Sequence, residues 1–151
     1  MAIDYGGEQV VIARTIARIA HRGQVDKGGS PYIEHPARVA EAVAQDAGRW
    51  SAVAAAWLHD VIEDSPFTDD DLDAFGVDVE VIHLVVLLTR TPDVSADDYY
   101  GAIRGNFDAR KVKRADVLDN LNPRRLAKLD DVTVARLTKK YAKALDALDG
   151  K

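Results

Sequence analysis

Apolar residues return at three- and four-residue spacing along almost the whole chain. Val10, Ile12, Ala13, Ile16, Ala17, Ile19 and Ala20 mark a first helix over about 8–21. The stretch 23–32, GQVDKGGSPY, breaks the period and predicts a loop. Pro36 suits a first helical position, and Val39, Ala40 and Val43 carry a second helix to about Ala47. Ser51 is placed to cap a third helix from Ala52 to about Asp64, stopped by Ser65-Pro66. Residues 52–58 of that helix have no polar face, which predicts burial on all sides.

Thr68 followed by Asp71 has the pattern of a capping box for a short helix ending near Gly76. Residues 78–88 read as helix, although their Val and Ile content also allows a strand. Ser95 and Asp98 repeat the capping pattern for a helix reaching Arg104. Asp108 starts a helix through Asn120, interrupted before Pro123, and the last helix runs from about Asp131 to Leu148 with its basic side chains mostly on one side. With no repeat, linker or low-complexity tract, the chain is expected to be one all-α domain of seven or eight helices over 1–151.

Composition narrows the chemistry. A chain of 151 residues with 47% hydrophobic and 30% charged side chains has the profile of one globular domain. It has no cysteine, so a metal must rest on His, Asp or Glu, and only four histidines are available. Residues 1–7 carry two glycines and an aspartate where a cleavable signal would be apolar. The apolar runs 52–58 and 84–88 are too short to span a bilayer, so a cytoplasmic protein with no membrane partner is expected. Residues 1–100 hold 7 basic and 18 acidic side chains, and residues 101–151 hold 13 basic and 7 acidic. Without basic-aromatic interleaving, and with a net charge of −5, this split reads as a solvated helix face and no nucleic-acid partner is expected.

The third helix is anomalous, because its buried apolar run ends in His59, Asp60, Glu63 and Asp64. On a continuous helix the two i,i+4 pairs place all four along one side of the last turn. Three carboxylates and an imidazole in a poor dielectric fit a bound divalent cation, or else a solvated helix end. His35 follows the Gly-rich loop in PYIEHP, and Asp116 and Asn120 lie four apart in VKRADVLDN. Together His35, His59, Asp60 and Asp116 offer two nitrogens and two carboxylates, a set suited to Mn²⁺, Fe²⁺, Co²⁺, Ni²⁺ or Zn²⁺. Glu63 or Asp64, one turn beyond, could take a proton as general base; the alternative is surface charge. Phosphate-binding cations are sought in Lys27, Arg90, Arg22 and Lys113, the last two also readable as solvated surface. Tyr32 either borders the same pocket or simply packs.

In order, AHRGQVDKGGSPYIEHPARVAEAV, AAWLHDVIED, FGVDVEVIHLVVLLTR and VKRADVLDNL resemble the HD-domain phosphohydrolases, nearest to the hydrolase domain of RelA/SpoT-type proteins and the small alarmone hydrolases. The likeness covers residues 8–122. It implies an all-helical fold, one Mn²⁺ on His35, His59, Asp60 and Asp116, and an attacking water handled by Glu63 and Asp64. It further implies substrate contacts from Lys27 and Asn120, the latter also readable as a helix cap, and removal of the 3′-pyrophosphate of guanosine tetra- or pentaphosphate. The likeness breaks at two base-recognition positions. Asp26 precedes Lys27 where the family carries an arginine that stacks on guanine, and Asn122-Pro123 stands where Arg-Thr is common. An HD phosphohydrolase for another nucleotide or phosphate ester, and a non-catalytic nucleotide-binding module, are the alternatives.

Overall fold

The helical period becomes ten helical segments and no strand in the computed structural model, which describes residues 4–151. Met1–Ile3, the start of the polar opening read above as lacking a signal, lie outside the described residues. Helix α1 (Tyr5–Ala20) starts one turn earlier than its apolar stripe, because Asp4 caps it by accepting from the Gly7 N–H. Helix α2 (Glu34–Gln45) begins two residues before Pro36. The capping boxes lie where the sequence has them: Thr68 and Asp71 exchange hydrogen bonds at the start of α5 (Asp69–Ala74), and Ser95 accepts from the Asp98 N–H ahead of α7 (Ala96–Arg104). The Val/Ile-rich run is helix α6 (Val79–Leu88). Between α5 and α6 the chain turns through Gly76 at φ +91°, a conformation that favours glycine, and buried Gln9 braces the turn at Gly76 O and the Asp78 N–H.

The third helix departs from expectation. It runs Trp50–Leu58 (α3), with no side-chain cap from Ser51, which is buried inside it. The backbone turns at His59 and Asp60 and resumes as α4 (Val61–Asp64). The cause is local. His59 Nδ1 donates to Ala56 O at 2.6 Å, and that carbonyl is the acceptor a continuing helix would give to the Asp60 N–H. A second element, α9 (Pro123–Leu126), follows α8 (Phe107–Asn120) where only an interruption was expected; Asn122 caps it and Pro123 takes its first position. The chain closes with α10 (Asp131–Leu148), as the sequence predicts.

Helix α3 is the centre of the fold: α1, α2, α6 and α8 pack against it, and α10 covers α7 and α8. Ala52, Ala54, Ala55, Ala56 and Leu58 are fully buried, while Val53 and Trp57 are only partly buried, so the helix is not enclosed on every side. Small side chains on one helix let four others approach it closely. The C-terminal end of this core helix thereby lies between α2 and α8, with His35 and Asp116 on either side. No helix among the described residues is long and apolar enough to cross a membrane.

Candidate metal centre

Three elements meet at one point. His35 sits in the first turn of α2, His59 and Asp60 in the break after α3, and Asp116 near the end of α8. His35, His59 and Asp60 offer ligand atoms within 4.8 Å of one another. Asp116 Oδ1 joins them, 2.9 Å from His35 Nε2 and 3.5 Å from His59 Nε2. Asp60 Oδ2 lies 3.0 Å from His59 Nε2 and 3.8 Å from His35 Nε2. Donor atoms about 2.1 Å from a shared ion lie about 3.0–3.4 Å apart in octahedral or tetrahedral arrangements, so these separations suit a cation. His59 adds an independent sign. Its Nδ1–H is committed to Ala56 O, and its buried Nε2 has no hydrogen-bond partner. A buried imidazole nitrogen left bare beside two carboxylates is a ligand geometry.

The second contacts of these side chains orient them. His35 Nδ1 donates to Asp119 Oδ2 at 2.7 Å, the carboxylate–histidine pairing that fixes a ring for ligation through Nε2. Tyr32 donates to Asp60 Oδ2 at 2.5 Å, so it is a partner of the cluster as well as a pocket wall. Lys113 Nζ donates to Asp116 Oδ2 at 2.9 Å and lies over the Tyr99 ring. Lys113 is therefore a largely buried partner of the site, and the solvated-surface reading of it is corrected. Arg22, by contrast, is exposed and away from the cleft.

The electrostatics follow from this crowding. Burial pushes His35 down, but hydrogen bonds to Asp116 and Asp119 outweigh it and raise its pKa. Burial opposes protonation of His59 too, and Asp60 and Asp116 overcome it by a wide margin. Against the effect of burial, His59 draws Asp60 down to about 2, and Lys113 with His59 draws Asp116 well below the carboxylate range. Both carboxylates are thus ionised, and a divalent cation at their centre would replace the protons the imidazoles attract. Glu63 and Asp64 behave differently. Burial, helped by the Asp60 charge, raises both.

His35, Asp60, Asp116, Glu63 and Asp64 line one cleft of about 830 Å³, while His59 is buried and does not line it. Glu63 and Asp64 are on its wall, gathered with Asp60 across the break and not along one turn of a continuous helix. Glu63 Oε1 is held at 2.5 Å by the Arg90 backbone N–H. Lys27, Arg90 and Asn120 line the cleft as the sequence reading places them, and the Arg90 guanidinium lies 5.8 Å from the Tyr99 ring centre. Asn120 is the last residue of α8, not its cap; its amide donates to Asp116 Oδ1 and accepts from Arg125. Asp26 turns inward, accepting from the Gly28 and Ser30 N–H groups around Gly29 (φ +86°), so its charge is engaged by its own loop.

Sequence reasoning missed Asp119, Arg38 and the cations of the last third. Asp116, Asp119 and Asn120 are spaced i, i+3, i+4 on α8, and His35 and Arg38 are i, i+3 on α2; both signals were legible. Arg124, Arg125, Lys128 and Lys140 face the cleft only because α9 and α10 fold back over it. The basic third is thus part of the cleft wall, where composition alone suggested a surface property.

Known proteins with the same pattern fix the lineage. The HD domain family model matches residues 13–146. The guanosine-3′,5′-bis(diphosphate) 3′-pyrophosphohydrolase of Vibrio cholerae is 49% identical over 105 residues, 69% of this chain and 14% of that protein. The bifunctional (p)ppGpp synthase/hydrolase SpoT of Escherichia coli is 46% identical over 108 residues, 71% of this chain and 15% of that one. The chain therefore spans about one seventh of the length of these curated relatives. Among solved structures, a metazoan orthologue of SpoT described as hydrolysing ppGpp superposes with a TM-score of 0.77 at 22% identity, covering 99% of this chain and 89% of the other, which shows a common fold. With its ordered histidine, His-Asp, Glu-Asp and Asp motifs on such a fold, the chain belongs to the HD-domain family.

Proposed function

We propose that the chain is a metal-dependent phosphohydrolase that removes pyrophosphate from the 3′ position of guanosine tetra- or pentaphosphate, with Mn²⁺ on His35, His59, Asp60 and Asp116. The observation that carries this reading is the convergence of two imidazole nitrogens and two carboxylates beside a cleft lined by Lys27, Arg90, Arg124, Lys128 and Lys140. When bound, the ion supplies Lewis acidity toward a phosphate oxygen and lowers the pKa of a water. The chain's residues do the rest. Glu63 keeps one oxygen on the Arg90 N–H and the other free to accept a proton, and its raised affinity for protons suits a general base. Asp64, raised in the same way, would be the second carboxylate able to take that proton.

Lys27 and Arg90 line the cleft and would offset phosphate charge there; burial, with Arg136 and Lys140 nearby, lowers the Lys27 pKa. Asn120, its amide orientation locked by Asp116 and Arg125, presents a fixed edge to a nucleoside. The activities of the Vibrio and Escherichia relatives support the alarmone as substrate, and a cytoplasmic nucleotide pool is the matching place of action. Metal analysis of the purified protein, coupled to a pyrophosphate-release assay on guanosine tetraphosphate, tests the proposal. Mn²⁺-stimulated release is expected; no release, with the metal bound, would overturn the substrate. Asp26 and Asn122-Pro123 favour a second reading, an HD phosphohydrolase of another nucleotide, which turnover of a different member of a nucleotide panel would identify. Binding without turnover of any member would favour the non-catalytic module.

A further inference from the structure

A line of paired charges runs from the loop over 23–32 to the far side of His35. Asp26 spends Oδ1 on its own loop, and its Oδ2 lies 3.7 Å from Arg125 Nε. Arg125 Nη1 in turn donates to Asp119 Oδ2 at 3.1 Å and to Asn120 Oδ1 at 2.8 Å, and it lies 3.2 Å from His35 Nδ1 itself. Asp119 Oδ2 accepts from His35 Nδ1. A second guanidinium, Arg38, clamps Asp119 from α2, with Nε 2.8 Å from Oδ1 and Nη2 3.2 Å from Oδ2; it is near enough to feel the Asp26 charge, but the ion pair with Asp26 belongs to Arg125. The Asp26, Arg125 and Asp119 side chains are 10%, 19% and 9% exposed, so solvent screens this chain of pairs far less than surface pairs. Two arginines on one carboxylate are more than its charge requires. Only Arg125 joins that carboxylate to the loop.

We propose that Arg125 is a positioning residue that couples the substrate loop to the metal ligand His35 through Asp119. Holding Asp119 fixes the His35 tautomer and ring direction, and holding Asp26 fixes the loop. Any ligand that steadies one end therefore steadies the other, and the coupling is reciprocal: the metal orders the loop, and an ordered loop tightens the metal site. This rests on His35 being a metal ligand.

The test is Mn²⁺ titration calorimetry, with hydrogen exchange of the loop amides with and without Mn²⁺, on the full chain and on Arg125→Met, Arg38→Met, Asp26→Asn and their pairs. Arg125→Met is expected to weaken Mn²⁺ binding about tenfold, the scale of losing an outer partner of a metal ligand, and to abolish Mn²⁺-dependent protection of the loop. Arg38→Met is expected to weaken Mn²⁺ but to leave that protection in place. Asp26→Asn should add nothing to Arg125→Met and should add its full effect to Arg38→Met. Circular dichroism and the melting temperature of the metal-free protein check folding, and Arg125→Lys, which keeps the charge, should recover part of the affinity. Wild-type Mn²⁺ affinity in Arg125→Met, or loop protection that survives in it, overturns the proposal. His35→Ala separates the two claims. If it binds Mn²⁺ normally, the ligand reading itself fails; if it loses Mn²⁺ while Arg125→Met does not, only the coupling fails.

Discussion

Replacing Asp116 by asparagine tests the centre most sharply, because its two oxygens serve different partners. Oδ1 faces His35 Nε2 at 2.9 Å, the Asn120 amide at 3.1 Å and His59 Nε2 at 3.5 Å, while Oδ2 accepts from Lys113 at 2.9 Å. An asparagine keeps the shape but turns one oxygen into an NH₂ group, and either orientation sets a donor against donors. The lost charge also leaves Lys113, 18% exposed at the side chain and over the Tyr99 ring, without its carboxylate partner. Removing one member of a buried pair costs about 3–5 kcal/mol, and the partial exposure of Lys113 lowers that to about 2–3 kcal/mol. For a domain of this size that corresponds to a fall in melting temperature of about 4–12 °C. Mn²⁺ affinity should drop by more than the roughly 10–100-fold seen when only an outer partner is lost. Scanning calorimetry in chelator gives the first quantity and Mn²⁺ titration the second. An unchanged or raised melting temperature would refute the reasoning, since it would mean that repulsion between Asp60 and Asp116 outweighs the Lys113 pair. Undiminished Mn²⁺ binding would remove Asp116 from the ligand set.

Glu63→Gln should retain metal and melting temperature while turnover falls about 10²–10⁴-fold, the scale of a lost general base; single-turnover pyrophosphate release reads this, and normal turnover excludes Glu63 from proton transfer. Leu58→Ala, at a fully buried side chain next to His59, should cost about 2–5 kcal/mol in urea unfolding, and a cost below about 1 kcal/mol would show that the end of α3 is not packed as described. Asp119, pushed up by burial but brought to about 2 by its bonds from His35 and Arg38, lies below its unfolded value of about 3.9. Its contribution to stability is therefore complete above that value and lost as pH falls toward 2. The melting-temperature gap between the metal-free wild type and Asp119→Asn should close over that window, and a gap constant from pH 6 to pH 2 would contradict the assignment.

Periodicity and capping signals carried most of the fold. Thr68 and Ser95 mark helix starts through local contacts, and such contacts are written in adjacent residues. The ligand quartet was legible as a set, but its geometry was not. The i,i+4 argument assumed an unbroken helix, and a histidine that takes its own helix's carbonyl cannot be told from one that does not by spacing alone. Asp119 hid beside a stronger signal, because Asn120 next to it already had a role. Arg125 carried no local signal at all. Its place depends on Asn122-Pro123 starting a short helix that returns the chain across the loop, a tertiary event that a departure from the family pattern disguised.

The sorting of charge between the floor and rim of the cleft has a consequence for encounter. The molecule carries −5 overall, so at a distance it repels a multiply phosphorylated ligand. Within about 8 Å, the screening length at physiological salt, the ligand feels instead the local field of Lys27, Arg124, Arg125, Lys128 and Lys140. Approach past these side chains is favoured. Net charge therefore does not decide encounter, and the local field of the cleft supplies capture.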